Sequence, residues 1–172
     1  MEKGLVQIYT GNGKGKTTAS LGLTLRACGH GFRVFIAQFA KGMSYGELTA
    51  LKKFDSLVCI RQYGRTCFIY NKPEKEDIEL AKVGWEDVKT AVSSREYDII
   101  ILDEIGIALY YKLISLDEVK NLIQNKPESL ELVLTGRKMP EELFTLSDLV
   151  TEMCEIKHYY RKGVEARKGI EY

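Results

Sequence analysis

The sequence predicts an α/β protein with a mainly parallel central sheet and helices on both faces. Three observations predict it. Strand-like apolar runs alternate with helix-like segments along all 172 residues. The runs Val34–Ala37, Ile99–Leu102 and Glu131–Leu134 lack the alternation of a half-exposed strand and read as buried on both faces. The residues that carry chemistry fall at the C-terminal ends of predicted strands, where such sheets bind ligands. The length fits one domain, residues 1–172, with a single buried core.

Leu5–Tyr9 is the first strand. Lys16–Cys28 follows as a helix, with Leu21, Leu25 and Cys28 at helical spacing, and Gly29-His30-Gly31 closes it. Arg33–Phe39 is the second strand, Lys41–Gly46 a loop, Glu47–Phe54 a short helix and Leu57–Gln62 the third strand. Tyr63–Lys72 has no clear period and reads as irregular, with aromatic Tyr63, Phe68 and Tyr70. Pro73 suits the first turn of a long helix, where its missing N–H is not needed. Ile78, Ala81, Trp85, Val88 and Val92 then step by three and four to give that helix one apolar face through Ser94.

Tyr97–Glu104 is a strand that ends in two carboxylates. Ser115-Leu116-Asp117-Glu118 is a capping box that opens a helix, and Pro127 closes it. Leu130–Leu134 is a further strand and leads into Thr135-Gly136-Arg137. Pro140–Leu146 reads as a short helix and Leu149–Ile156 as a last strand. Lys157–Tyr172 is a basic, aromatic tail, either solvated or covering an anionic ligand.

Composition narrows the function. A hydrophobic fraction of 45% and a charged fraction of 28% are ordinary for a soluble globular protein. A net charge of +1 gives no field that would favour nucleic acid or a membrane surface. No secretory leader and no bilayer-length apolar run is visible, so the expected location is cytoplasmic. The four cysteines form no C-x-x-C pair and there are only two histidines, which argues against zinc.

The chemistry concentrates in Gly11-Asn12-Gly13-Lys14-Gly15-Lys16-Thr17-Thr18, between a strand and a helix. Glycines let successive backbone N–H groups turn toward one anion, and the helix N-terminus adds its own unpaired donors. This is a phosphate cradle one residue shorter than G-x-x-x-x-G-K-[ST], because Thr10 stands where the first glycine belongs. It points to a P-loop NTPase-like (RecA-like) three-layer fold. Lys16 can reach a phosphate, Thr17 can bind Mg²⁺ (or Mn²⁺), Thr18 can contact phosphate, and Lys14 lies within the loop. Asp103 and Glu104 follow an apolar strand as metal-associated carboxylates do. Arg26 can reach a phosphate or pair with a carboxylate, and Arg137 is placed for an anion contact. These residues read as an Mg²⁺-nucleoside triphosphate protein. An ATPase with Glu104 activating water, a kinase and a non-catalytic ATP-binding switch all remain open at this point.

The run Tyr9–Ala19 resembles the short P-loop of ATP:corrinoid adenosyltransferases, the cob(I)yrinic acid a,c-diamide type of cobalamin biosynthesis. Further matches follow in order: Arg26-Ala27, Gly29-His30-Gly31, Gln38-Phe39, Lys41-Gly42, Ile101–Glu104 and Leu134–Arg137. Asp148–Met153, Lys157-His158 and Gly169–Tyr172 close the series.

The resemblance implies that Co(I) of a corrinoid attacks C5′ of ATP and triphosphate leaves. It implies catalytic roles for Lys16, Thr17 and Glu104. Gly11, Asn12, Gly13, Lys14, Gly15, Lys16, Thr17 and Thr18 would hold the triphosphate, and Arg26 would contact the nucleotide. Thr17, Glu104 and Asp103 would serve the metal. It further implies a homodimer and an electron donor that is a flavoprotein or reduced flavin. Two departures stand out. Longer members carry an N-terminal extension over the site, whereas this chain starts close to its first strand. Some members use an aromatic pair against the corrin's lower face; here the stretch is Gly64-Arg65-Thr66-Cys67-Phe68, and Phe68 or Tyr63 is the expected substitute.

Overall fold

The computed structural model describes residues 2–67, 69 and 72–172. Strand β1 (Val6–Thr10) leads through the glycine-rich loop into helix α1 (Lys16–Cys28). Strand β2 (Val34–Phe39), helix α2 (Gly46–Leu51), strand β3 (Val58–Tyr63) and helix α3 (Lys75–Ser94) follow. Then come β4 (Ile99–Asp103), α4 (Ile105–Tyr110), α5 (Leu116–Asn125), β5 (Glu131–Thr135) and β6 (Leu149–Glu152). Short 3-10 turns cover Lys52–Phe54, Glu141–Leu146 and Tyr159–Lys162.

The described strands form one sheet in the order β3-β2-β4-β5-β1-β6. Every pairing is parallel, so the C-terminal ends share one edge. Every residue of β2, β4 and β5 is buried, as the unbroken runs required. On one face Trp85, Val88, Ala108, Val119 and Ile123 pack from α3, α4 and α5. On the other, Ala27, Cys28 and Leu51 pack from α1 and α2. Side chains alternate faces along each strand, so Ile100 and Leu102 join the first layer and Ile99 and Ile101 the second.

The structure corrects several element readings. Pro73 lies outside α3. Glu74 is the N-cap, and Asp77 closes a capping box by accepting from the Glu74 N–H at 2.8 Å. The end of α1 is as expected: Gly29 is its C-cap, in helical conformation, and Gly31 turns the chain at φ +75°. Helix α4 was not expected. It is apolar on nearly every side, and six such residues show no periodic stripe. Strand β6 stops at Glu152, short of the expected Ile156.

Candidate functional site

Five strand ends, Thr10, Phe39, Tyr63, Asp103 and Thr135, meet the loops of one sheet edge. Between them opens a cavity of about 740 Å³. Gly13, Lys14, Gly15, Lys16, Thr17 and Thr18 line one wall, with Lys41, Glu104 and Arg137 beside them. Leu21, Tyr45, Ile69, Ile107 and Tyr111 supply apolar surface.

The loop needs its glycines for two reasons. Gly11 and Gly15 hold φ of +95° and +120°, where a side chain is strained. A Cβ at Gly11 or Gly13 would also approach the Met153 carbonyl oxygen to 2.5 or 2.6 Å. The Gly13 N–H donates to that oxygen at 2.6 Å, so the segment after β6 braces the loop. Lys16 folds its ammonium onto the carbonyls of Gly11 and Gly13, each at 2.7 Å. Burial lowers its pKa, and Arg137 and Lys41 push the same way against Glu104 and Asp103.

Asp103 is fully buried at the end of β4. Its Oδ1 accepts from Thr17 Oγ1 at 2.9 Å and from Thr135 Oγ1 at 2.7 Å. Its Oδ2 accepts from Lys41 Nζ at 2.8 Å and Gln38 Nε2 at 3.1 Å. Lys41 also donates to Thr17 Oγ1 at 3.0 Å. Burial by itself would lower the Lys41 pKa, but Asp103, Glu104 and Glu47 outweigh it, and the ammonium is held charged. Glu104 sits at φ +59°, which turns its side chain to the cavity while Asp103 stays behind Thr17. Burial, then the Asp103 charge, raises the Glu104 pKa against the pull of Lys41, Lys16 and Arg137.

The structure brings Gly13, Lys14, Gly15, Lys16, Thr17, Thr18, Glu104 and Arg137 onto one cavity. Gly11 and Asn12 do not line it, although Gly11 shapes the loop. Arg26 sits exposed in the last turn of α1, about 15 Å of helix beyond Lys16. Phe68 lies outside the described residues. Tyr63, the other candidate in that stretch, is buried, and its hydroxyl donates to Asp87 at 2.7 Å. Arg65 grips Asp77 through Nε at 2.9 Å and through a second nitrogen at 3.1 Å, which ties the segment to α3.

Two groups were missed as site residues. Lys41, Gln38 and Thr135 follow or end strands, so the edge rule that singled out Asp103 could have found them. The tail was read as solvated or covering an anionic ligand, and its residues His158, Gly169, Ile170, Glu171 and Tyr172 line the cavity. Glu171 accepts from Lys14 at 2.7 Å, and Lys14 also donates to Tyr159 and to the Ile170 carbonyl, each at 3.0 Å. The Lys14 ammonium and the Tyr159 hydroxyl hold the Glu171 pKa well below the usual carboxylate range.

Residues 2–172 match the family model described as ATP:corrinoid adenosyltransferase BtuR/CobO/CobP. A corrinoid adenosyltransferase of a Sinorhizobium species is 38% identical over 99% of this chain and 81% of its own length. Those of Pseudomonas aeruginosa and Escherichia coli K12 are each 33% identical over 99% of this chain, and over 85% and 87% of their own lengths.

Proposed function

The chain belongs to the ATP:corrinoid adenosyltransferase family, and from that premise we infer that it transfers the 5′-deoxyadenosyl group of ATP to the Co(I) of a corrinoid in cobalamin biosynthesis. Inorganic triphosphate is the second product. One observation supports this use of the site: the glycine-rich loop with Lys16 and the apolar side chains Leu21, Ile69 and Ile107 line the same cavity.

In the step inferred, the electron pair of substrate Co(I) forms a cobalt–carbon bond at C5′. The C5′–O bond breaks and its electron pair leaves with the triphosphate. Negative charge then grows on an oxygen facing the loop. Lys16 exchanges its carbonyl acceptors for phosphate oxygens, and the backbone N–H groups at the start of α1 add fixed donors. No protein nucleophile is required; the protein's task is to align C5′ with the cobalt and stabilise the leaving group.

Thr17 and Glu104 would hold Mg²⁺ (or Mn²⁺), with Asp103 orienting the Thr17 hydroxyl from behind. This all-oxygen donor set suits a hard cation. Among the described residues no three His, Cys, Asp or Glu side chains converge on a metal position, so phosphate oxygens would complete the shell. A cation bound there would add positive charge against the triphosphate.

The fold is read as a RecA-like P-loop fold, supported by the cradle after β1 and the carboxylates after β4. A homodimer and a flavoprotein or reduced-flavin donor rest on the family. A cytoplasmic location fits the described helices, none of which is long and apolar enough to cross a membrane. Phe68 is proposed to pack on the corrin's lower face, in which case Phe68→Ala alters the absorption spectrum of bound Co(II) corrinoid.

The test is anaerobic incubation with Mg-ATP and chemically reduced cob(I)alamin. The expected result is loss of Co(I) absorbance, a light-sensitive alkyl-cobalt product and triphosphate, with Lys16→Ala at least about 100-fold slower. Steady release of ADP and phosphate without corrinoid change overturns the reading in favour of an ATPase.

A further inference from the structure

We propose that Lys41 is a second phosphate-binding lysine of the transfer reaction, held on Asp103 and Thr17 before ATP enters and drawn onto the triphosphate when it does. The proposal rests on the adenosyl-transfer reading of the site.

Lys41 is delivered by a turn built to hold it. Ala40 takes φ +51°, left-handed for a residue with a Cβ, and its N–H donates to the Tyr63 carbonyl at 3.2 Å. A Cβ at Gly42 would come within 2.1 Å of the Gly64 carbonyl oxygen. A strained residue before the lysine and a close-packed glycine after it fix where the side chain starts. Strain of this kind persists where the surrounding structure over-determines it, and it clusters at functional positions.

The side chain is then parked on exchangeable partners. Its ammonium contacts one oxygen of Asp103 and the Thr17 hydroxyl, at 2.8 and 3.0 Å. The same side chain lines the cavity, with 13% of its surface exposed. An ammonium on a four-carbon stem is a point charge that can change acceptors by torsion alone. A divalent cation approaching Thr17 repels it from there, and the triphosphate offers new acceptors beside it. Lys14, the other lysine of the loop, is turned instead toward the tail, onto Glu171, Tyr159 and the Ile170 carbonyl.

The experiment is calorimetric binding of inorganic triphosphate, with Mg²⁺ present, to the full-length protein and to Lys41→Met, Lys41→Gln and Lys41→Arg. Gln is included because its amide can still donate to Asp103 and spare the fold. The expected result is a loss of about tenfold or more for Met and Gln, the size of one charged hydrogen bond, with Arg retaining most of the affinity. The same two variants should lower kcat of adenosyl transfer more than they raise KM for the corrinoid. Triphosphate binding to Lys41→Gln as tight as, or tighter than, to the unaltered protein overturns the proposal and leaves Lys41 a counter-charge for Asp103. If the unaltered protein binds triphosphate with Lys41 dependence but transfers no adenosyl group, the reaction assignment fails and the phosphate-binding role of Lys41 stands.

Discussion

Asp77 and Asp103 are both buried, and each is paired with a cation, yet the two pairs are built differently. At Asp77 the Arg65 guanidinium spans both carboxylate oxygens, at 2.9 and 3.1 Å. Another nitrogen of Arg65 reaches Glu74 at 2.8 Å, and the Glu74 N–H closes the helix cap on Asp77. The planar fork fixes direction as well as distance. At Asp103 the cation is an ammonium on one oxygen, and two hydroxyls hold the other. The first pair lies between a loop and the first turn of α3; the second faces a cavity across Thr17. A fork with matched acceptors holds two elements together. A point charge beside hydroxyls, open to a ligand, can be replaced by that ligand.

The largest expected effect is on stability. Asp77→Ala removes both contacts of the fork and the Asp77 half of the capping box of α3, and leaves Arg65 partly buried with its Glu74 contact. It should cost about 3 kcal/mol in denaturant unfolding. A loss as small as an exposed pair gives would break the contrast.

Asp103→Asn should show the opposite signature. The amide oxygen still accepts from a hydroxyl and Lys41 can turn into the cavity, so unfolding should shift by no more than about 1 kcal/mol. Adenosyl transfer should fall by about 10- to 100-fold, because Thr17 loses its orienting carboxylate. Equal effects of the two aspartate substitutions on stability would remove the distinction.

Arg65→Lys sharpens it further. An ammonium cannot span both oxygens of Asp77, so a loss of about 1 kcal/mol is expected in the same unfolding measurement. The smallest effect concerns the tail. Glu171 has a depressed pKa, so its contribution is present above the unfolded carboxylate value and is lost as pH falls through the folded one. The amide resonances of Gly169–Tyr172 should therefore hold their shifts near neutral pH and move toward free-peptide values at strongly acidic pH. Glu171→Gln should show the moved shifts at neutral pH.

Much of this was readable along the chain. The uniform apolarity of β2, β4 and β5 announced strands covered on both faces, and capping chemistry announced α5. Gly11 and Gly15 announced a tight loop between β1 and α1, because their positive φ is a property of the local chain. Helix α4 was not readable, since six residues apolar on nearly every side show no polar face against which a helical stripe could stand out. Nor was the bracing of Gly13 by Met153, or the capture of Lys14 by Glu171, 157 residues away. Pro73 misled because a proline suits both the first helical turn and the residue before the cap.

The sequence by itself determined the layers, the parallel sheet, the glycine-rich loop after β1 and the carboxylates at the end of β4, because these follow from periodicity and short-range geometry. Only the tertiary structure decided which cation faces Asp103, why Arg65 belongs to the scaffold, and which tail residues line the cavity. Those outcomes depend on strand order. Placing β2 beside β4, and β5 between β4 and β1, sets Gln38, Lys41, Asp103, Thr135 and Thr17 side by side. Sheet order is a long-range property fixed by how the faces pack, and no local window of the chain contains it.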